Sequence, residues 1–291
     1  MKKVLITGAN SYIGTSFENY IKENYPDDYI VDTIDMMDEH WNQKSFVGYD
    51  AVFHVAGIAH SDNGKISDEK AKLYYAINTD LTVETAIKAK SDGVKQFVFM
   101  SSAIVYGKSA PIGKKKVITK ESSINPANCY GDSKIRAEEG IKSLCDNDFN
   151  IVILRSPMIY GKGSKGNYPI LAKFAAKTPI FPYVNNERSM LYIENLCEFV
   201  RLMVENNENG IFWPQNDEYV NTSSLVQMIA NVKGKKILLI KGFGWALIIL
   251  SYVCGLVNKA FGNLSYDKEL SKYKTNYCVV SLEQSIKKTE L

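Results

Sequence analysis

The chain opens with "MKKVLITGANSYIG" at residues 1–14, and this stretch decides the fold. An apolar run at 3–7 predicts a short buried strand. A helix is predicted to begin near Tyr12, with Gly8 in the turn between the two. A strand that turns sharply into a helix N-terminus points free backbone N–H groups and the positive end of the helix dipole at one place. The stretch therefore predicts a binding site for the phosphates of a dinucleotide.

The glycine pattern of this turn is incomplete. Dinucleotide-binding folds place glycines here for the tight turn, for close approach of the pyrophosphate and for close packing of helix on strand. Gly8 and Gly14 are present, but Ser11 stands where a middle glycine is usual, which predicts a slightly wider turn. An ordinary strand–turn–helix connection is therefore the alternative interpretation.

An acidic residue follows at the spacing that a dinucleotide site requires. A second strand is predicted at 29–34, and Asp35 ends it about 20 positions after Gly14. A carboxylate there accepts hydrogen bonds from ribose hydroxyls and repels a 2′-phosphate, so Asp35 favours NAD over NADP. Asp32 and Asp38 leave the register open, and a surface aspartate at a strand end is the alternative.

Length and composition indicate a globular chain of the size of an enzyme. With 291 residues, 45% of them hydrophobic, the chain can bury the core of one large domain or of two lobes. The net charge is +3 with both signs interspersed, which gives no indication of a nucleic-acid partner. Neither the five cysteines nor the three histidines show the spacing of metal ligands, so we expect no bound metal. Scattered cysteines indicate free thiols in a reducing cytoplasm.

Strands alternate with helices through the first half of the chain. After the first two strands, strands are predicted at 50–57, 96–102 and 151–155, and helices at 69–91 and from Tyr130. This alternation predicts an α/β fold with a doubly wound parallel sheet of the Rossmann type. Such sheets bind ligands at the carboxyl ends of their strands. Four residues are predicted at these ends: Gly8, Asp35, Ala56 and Ser102.

Two residues spaced four apart give the main catalytic signal. Tyr130 and Lys134 lie in "CYGDSK" at 129–134, and this spacing places them on one face of a helix. A tyrosine has a pKa of about 10 and is a weak base at neutral pH, but a nearby ammonium stabilises the phenolate and lowers that pKa. Ser102 is placed to hydrogen-bond the same substrate oxygen. The chain has 18 tyrosines, so a chance pairing is the alternative.

These motifs together resemble the extended short-chain dehydrogenase/reductase family, in particular its nucleotide-sugar branch, which holds UDP-glucose 4-epimerase-like enzymes and 4-keto-sugar reductases. The resemblance is carried by "TGANSYIG" (7–14), Asp35, "FHVAG" (53–57), Asn78, "SSAIVYG" (101–107), Tyr130 with Lys134, "LRSPMIYGKGSKGN" (154–167), "RSMLYIENL" (188–196) and "SLEQSIKKT" (281–289). It implies an NAD-binding Rossmann domain at 1–156 and a smaller substrate-binding lobe at 157–291. The segment 191–207 is expected to return and pack on the first domain.

The resemblance implies a role for each matching residue. The catalytic trio would be Ser102, Tyr130 and Lys134. The residues expected to bind NAD are Gly8, Ser11, Tyr12, Ile13, Gly14, Asp35, Val55, Ala56, Gly57, Asn78, Tyr130, Lys134, Ser156 and Pro157. The residues expected to bind a UDP-sugar are Ser102, Tyr130, Asn167 and Arg188.

Arg188 also has a rationale of its own, because a guanidinium fork matches the oxygens of a phosphate. The alternative is a surface arginine paired with Glu187 or Glu194.

One departure from the family pattern narrows the reaction. In the 4,6-dehydratases of this family an Asp-Glu pair follows the catalytic hydroxyl residue and eliminates water from the sugar. Here those positions are Ala103 and Ile104, which cannot transfer protons. The sequence therefore argues against a dehydratase.

The segment 242–258, "GFGWALIILSYVCGLVN", holds 17 residues without a charge between Lys241 and Lys259. It is shorter than the roughly 20 apolar residues of a spanning helix. We expect it to form part of the substrate lobe; a spanning helix and a peripheral membrane contact are the alternatives. The sequence does not fix the oligomeric state, and a homodimer is one alternative.

Three functions are compared. We favour a UDP-sugar 4-epimerase, in which tightly held NAD takes a hydride from C4 and returns it to the other face. The alternative in the same class is a 4-keto-6-deoxy UDP-sugar reductase or 4-dehydrogenase of capsule or O-antigen biosynthesis. The third is a non-catalytic dinucleotide-binding regulator, which would have no need of the trio.

Overall fold

The structure is a computed structural model that describes residues 1–58, 66–242, 244–253 and 255–291. His60, Phe243 and Cys254 lie outside the described residues. The strands are β1 Lys2–Thr7, β2 Tyr29–Ile34, β3 Ala51–His54, β4 Gln96–Ser102, β5 Val117–Ile118, β6 Asn150–Ser156, β7 Met158–Tyr160, β8 Ile180–Pro182, β9 Met190–Tyr192, β10 Gly210–Phe212, β11 Leu238–Ile240 and β12 Ser265–Tyr266. The helices are α1 Tyr12–Asn24, α2 Asp68–Tyr75, α3 Leu81–Ser91, α4 Cys129–Lys142, α5 Asn167–Lys177, α6 Ile193–Glu205, α7 Thr222–Val232, α8 Gly244–Val253, α9 Gly255–Phe261 and α10 Leu282–Glu290.

The chain forms two compact units. The first unit comprises Met1–Gly107, Ile124–Ser156 and Leu196–Pro214. The second unit comprises Lys108–Ser123, Pro157–Asn195 and Gln215–Leu291. The segment Lys108–Ser123 lies before the domain boundary that the resemblance implies near residue 156, and its strand β5 pairs with β12 of the second unit. A two-residue strand belongs to the unit that holds its hydrogen-bonding partner strand. The sequence of 108–123 alone does not show which strand that partner is.

The first unit is built on a six-stranded sheet in the order β10-β6-β4-β3-β1-β2, and all its strand pairs are parallel. Both faces of the sheet are covered, since neighbouring residues such as Phe97 and Val98 are both fully buried. One face packs on the small residues Ala86 of α3 and Ala137 of α4. The predicted doubly wound α/β fold is confirmed.

The predicted helix at 69–91 is interrupted. Helix α2 ends at Tyr75, a π-helical turn follows at Ala76–Asp80, and α3 begins at Leu81. Single π-turns inside helices occur mostly at functional sites. The turn contains Asn78, one of the residues expected to bind the cofactor.

The second unit holds three two-stranded parallel pairs, β11-β8, β12-β5 and β7-β9. Asn221 caps α7 by accepting hydrogen bonds from the backbone N–H groups of Ser223 and Ser224. The apolar segment 242–258 contributes α8 and most of α9. In the part of the chain that the structure describes, no helix has the length and apolar character needed to cross a membrane.

Candidate active site

The turn between β1 and α1 has the crowded geometry of a cofactor-binding loop. Gly8 has a φ of +114°, and a Cβ atom there would lie 2.9 Å from the backbone nitrogen of Ala56. Only glycine adopts this conformation at such a close approach without strain. The backbone N–H of Gly8 donates to the carbonyl of Ile34, which ties the turn to the end of β2.

Ser11 has a defined structural role in this turn. It is the N-cap of α1, and its Oγ accepts a hydrogen bond of 3.1 Å from the N–H of Gly14. A Cβ at Gly14 would lie 2.7 Å from that Oγ, so the serine cap and the glycine fit only together. Serine thus replaces the usual glycine with a residue that stabilises the helix start.

Asp35 lies directly after β2 with an exposed carboxylate, which accepts a hydrogen bond of 2.9 Å from the N–H of Met37. The neighbouring aspartates have other partners. Asp32 accepts from the hydroxyl of Tyr49, and Asp38 pairs with Lys44. Of the three carboxylates, Asp35 is the one at the carboxyl end of the strand, where a ribose is expected.

The loop after β3, which contains Val55, Ala56 and Gly57, is held by Asn78. The amide of Asn78 accepts from the N–H of Ile58 at 2.9 Å and donates to its carbonyl at 3.1 Å. Its nitrogen also donates to Ser133 of α4. A Cβ at Gly57 would lie 2.9 Å from Asn78 Oδ1 and 3.4 Å from Lys134 Nζ. Asn78 therefore positions the loop, and its contact with a cofactor stays a prediction.

Ser102 and Tyr130 are brought together in the first unit. Ser102 ends β4, and its Oγ accepts from the N–H of Ile104 at 3.3 Å. Tyr130 lies in the first turn of α4 and is half-buried. Burial raises the pKa of Tyr130, and a hydrogen bond from Ser102 acts in the opposite direction. The sequence predicts a lowered pKa; the structure gives a raised one, because loss of hydration outweighs the stabilisation of the phenolate.

Lys134 lies one turn further along α4 and is buried. Its Nζ donates to the carbonyl of Met100 at 2.9 Å and lies 4.6 Å from the ring centre of Phe99. Burial lowers the pKa of Lys134 to about 8, and the charge of Glu138 partly opposes this shift. At neutral pH the side chain still carries its ammonium charge, as the predicted catalytic role requires.

Ser156 ends β6 and is buried, and its Oγ has no hydrogen-bond partner among the described residues. A buried hydroxyl without a partner is uncommon and can be satisfied by a bound ligand. The backbone is tightly packed at Gly8 and Gly57, where a side chain would not fit. Together with the Ser156 hydroxyl, these positions fit a dinucleotide that lies along the ends of the strands. Pro157, which follows Ser156, belongs to the second unit.

Asn167 and Arg188 both lie in the second unit, where they line one small cavity. The other lining residues are Met158, Leu171, Met190, Val220, Thr222, Leu225, Lys259 and Ala260. The Arg188 guanidinium donates to the carbonyls of Lys259 at 2.5 Å and of Ala260 at 3.3 Å. Burial lowers the pKa of Arg188 to about 10.

No ion pair of Arg188 with a carboxylate occurs among the described residues. The carboxylate of Glu187 accepts from Ser265, and that of Glu194 accepts from Tyr192 and Lys288. The predicted alternative of an Arg188 ion pair with Glu187 or Glu194 is therefore wrong. A partly buried cation without a counter-ion suits an anionic ligand.

Sequence reasoning missed a buried ionic network next to Lys134. The carboxylate of Glu138 accepts from Ser101 at 2.5 Å and from Arg155 at 2.6 Å. Arg155 also donates to the hydroxyl of Tyr106, which accepts a second bond from Trp213. The spacing of four between Tyr130, Lys134 and Glu138 places all three on one helix face, and this signal could have found Glu138.

Comparison with known proteins decides the family. Residues 4–213 match the sequence pattern described as "NAD dependent epimerase/dehydratase family". The chain belongs to this family. It is thus an NAD-dependent enzyme of the extended short-chain dehydrogenase/reductase type, which confirms the resemblance and the cofactor inferred from the sequence.

Two family relatives and one solved structure illustrate the likeness. A Vibrio cholerae protein named "UDP-glucose 4-epimerase" is 27% identical over 281 residues, which cover 90% of this chain and 83% of the relative. An Escherichia coli O157:H7 protein named "N-acetyl-alpha-D-glucosaminyl-diphospho-ditrans,octacis-undecaprenol 4-epimerase" is 27% identical over 254 residues, covering 80% of this chain and 73% of the relative. The structure of UDP-glucuronic acid 4-epimerase from Bacillus cereus with NAD shares the fold at a TM-score of 0.71 and 16% identity, covering 98% of this chain and 96% of the other.

Proposed function

We propose that this family member interconverts C4 epimers of a UDP-hexose or a UDP-N-acetylhexosamine. The observation that carries the proposal is the position of Ser102 at the end of β4, close enough to Tyr130 to act on its pKa, with Lys134 one turn along the same helix as Tyr130. Support comes from the Vibrio cholerae relative, which covers 90% of the chain and whose name specifies this reaction on UDP-glucose.

Each residue of the trio has one task in this proposal. Tyr130 takes the proton of the C4 hydroxyl through its phenolic oxygen, and Ser102 hydrogen-bonds the same sugar oxygen. Lys134 supplies a positive charge that stabilises the phenolate, a charge it keeps below a pKa of about 8. NAD, when bound, supplies the reversible two-electron oxidation of C4. When the hydride is added back to the opposite face of C4, Tyr130 would return the proton to the C4 oxygen.

Two residues of the second unit are proposed to hold the diphosphate. Arg188 is a partly buried cation that has carbonyl partners and no carboxylate partner among the described residues. Asn167 lines the same cavity and can donate or accept through its amide. A guanidinium binds phosphate oxygens in a bidentate manner, which an ammonium does not.

A second candidate differs only in the carrier of the sugar. The Escherichia coli relative is named for a sugar on a polyprenyl diphosphate. That candidate is favoured by one observation, the exposed apolar side chains of α8 in the second unit, because a polyprenyl substrate resides in a membrane. The chemistry at C4 and the diphosphate contacts would be the same.

The test is turnover of UDP-glucose, UDP-N-acetylglucosamine and their C4 epimers by purified protein, followed by chromatography of the sugars. We expect epimer exchange without net change of nicotinamide cofactor. Tyr130→Phe should lower kcat by about 10²- to 10⁴-fold, because only the proton-transfer group is lost. Tyr75→Phe is the matched control, since it removes a hydroxyl that bonds Asp132 instead.

Two results would contradict the proposal. Stoichiometric oxidation of NADH or NADPH by a 4-keto-6-deoxy UDP-sugar, without epimer exchange, would assign the reductase alternative. Wild-type turnover by Tyr130→Phe would remove Tyr130 from the mechanism. Nucleotide released from denatured protein, measured by its absorbance, shows in addition whether the cofactor stays bound between turnovers, as an epimerase requires.

A further inference from the structure

We infer that the second unit docks on an anionic membrane surface through α8. The docking surface consists of the exposed side chains of Trp245, Ile248, Ile249 and Leu250, called here the apolar α8 surface. This inference goes beyond the proposed reaction and does not depend on which sugar is the substrate.

The first observation is an apolar helix that is only partly covered. Helix α8, Gly244–Val253, carries no charged residue on any side. Helices of this kind are normally buried in a protein core or in a membrane. Here Trp245 is 66% exposed, Ile248 38%, Ile249 59% and Leu250 47%. Four large apolar side chains on two turns are more than the scattered apolar residues of an ordinary surface.

The second observation is the charge of the surrounding chain. From 219 to 266 there is no aspartate or glutamate, and the five basic residues are Lys233, Lys235, Lys236, Lys241 and Lys259. Lys235, Lys236 and Lys241 are exposed and lie on either side of β11, the last strand before α8. From 157 to 186, also in the second unit, there is again no acidic residue, and there are four lysines. Basic residues beside an apolar surface are complementary to anionic lipid headgroups.

The third observation is a pair of exposed apolar side chains on the strand before α8 and on its partner strand. Ile180 of β8 and Leu238 of β11 are direct partners in the strand pairing. Both are exposed, Ile180 by 52% and Leu238 by 67%. An exposed strand pair normally carries charged side chains or is covered by another part of the protein. Its sequence neighbour α8 suggests that both are covered by the same surface.

The occupant is a membrane and not a second copy of this chain. A two-fold symmetric dimer presents the same patch from both subunits, so it would bring the exposed Lys235, Lys236 and Lys241 of both copies close together. A tryptophan beside basic residues is also typical of the membrane–water interface. Because none of the described helices is long enough to cross a bilayer, the contact is peripheral.

The test is cosedimentation of the full chain with two kinds of vesicle. One kind is pure phosphatidylcholine, and the other contains equal parts of phosphatidylcholine and phosphatidylglycerol. We expect binding to the anionic vesicles that weakens as salt is raised, and at least about tenfold weaker binding to the neutral ones.

Two variants and one control locate the contact. Trp245→Glu combined with Ile249→Glu should reduce vesicle binding by about tenfold or more, because two exposed apolar groups that would enter the membrane surface are replaced by anions. Lys235→Gln with Lys236→Gln should reduce binding to anionic vesicles only. Ile87→Glu is the matched control, since Ile87 is an exposed isoleucine of the first unit, and it should bind as wild type does.

The outcomes separate docking from catalysis. Epimer exchange on a soluble UDP-sugar should be unchanged in the α8 variant, so loss of vesicle binding with full turnover supports docking whatever the natural carrier is. Equal binding by the variant and the wild type would overturn the inference, as would binding of neutral and anionic vesicles alike. A dimer in light scattering that Trp245→Glu dissociates would assign the surface to a second copy instead.

Discussion

At the scale of single residues, we predict that the carboxylate of Asp35 decides which dinucleotide fits the first unit. It is exposed at the end of β2 and accepts one hydrogen bond from the backbone N–H of Met37. A 2′-phosphate at this place would meet a full negative charge, whereas a ribose hydroxyl would meet a hydrogen-bond acceptor.

Asp35→Asn should weaken discrimination between the two cofactors. We expect wild-type protein to bind NAD(H) more tightly than NADP(H), and the variant to reduce that ratio by about tenfold, the effect of one ionic contact of about 1.4 kcal/mol. Titration of both nucleotides by calorimetry measures the ratio. Asp38→Asn is the control, because Asp38 pairs with Lys44. An unchanged ratio in Asp35→Asn would show that the carboxylate points away from the ribose.

The residues of the site differ in how far the sequence predicts them. Gly8 and the Tyr130–Lys134 pair lie in short motifs of neighbouring residues, so the sequence alone predicts them. The cap made by Ser11 and the raised pKa of Tyr130 depend on three-dimensional surroundings. Glu138 of α4 pairs with Arg155 of β6, and the local sequence around Glu138 does not predict that partner.

At the scale of elements, helix α4 is joined to strand β6 by an ion pair. Arg155 donates to both oxygens of Glu138, and the two side chains are 5% and 1% exposed. Each buried charge is costly without the other, and the pair lies on the helix that carries Tyr130 and Lys134. The pair therefore supports the position of that helix.

Removing one partner should be more damaging than removing both. Glu138→Gln or Arg155→Met alone should lower the free energy of unfolding by about 3–5 kcal/mol, because a single charge is left buried. The double variant should lose less than the sum of the two. Urea unfolding gives the three values, and Glu283→Gln, which breaks the exposed pair with Lys287, should leave the free energy of unfolding almost unchanged. Additive losses would mean that the two charges do not depend on each other.

Among the elements, regular strands and helices are predicted better than their interruptions. Strand β2 lies at 29–34 as predicted, because periodicity and apolar content define it. The π-turn at Ala76–Asp80 leaves no such pattern, since it is set by the bonds of Asn78 to Ile58 and Ser133. The exposure of α8 also depends on which elements pack against it, so the sequence alone does not predict it.

At the scale of the whole molecule, stability should depend on pH through a buried histidine. His54 ends β3 and is fully buried, with Thr7 and Thr82 bonded to its two ring nitrogens. Burial lowers the pKa of His54 to about 3, and the charge of Lys134 acts in the same direction. His54 therefore stays neutral in the folded protein at pH values where it is protonated in the unfolded chain.

The direction in which stability changes with pH follows from which state binds the proton of His54. Between pH 6.5 and about 3 the unfolded chain binds a proton at His54 that the folded protein does not, so stability is lost as the pH falls through this window. One proton corresponds to about 1.4 kcal/mol per pH unit, and because the unfolded histidine is only half protonated at pH 6.5, the loss between pH 6.5 and 4.5 is about 2.3 kcal/mol. Other groups titrate there too, so the contribution of His54 is the difference in slope between wild type and a variant.

His54→Gln should unfold with a shallower pH dependence than the wild type. It keeps a polar group between Thr7 and Thr82 but has no proton to take up, so the free energy of unfolding should fall by about 2.3 kcal/mol less between pH 6.5 and 4.5. Urea unfolding at several pH values gives both slopes, whatever the starting stability of the variant. His40→Gln, an exchange at an exposed histidine, is the control and should follow the wild type. Parallel curves for His54→Gln and the wild type would mean that His54 is as easily protonated in the folded protein as in the unfolded chain.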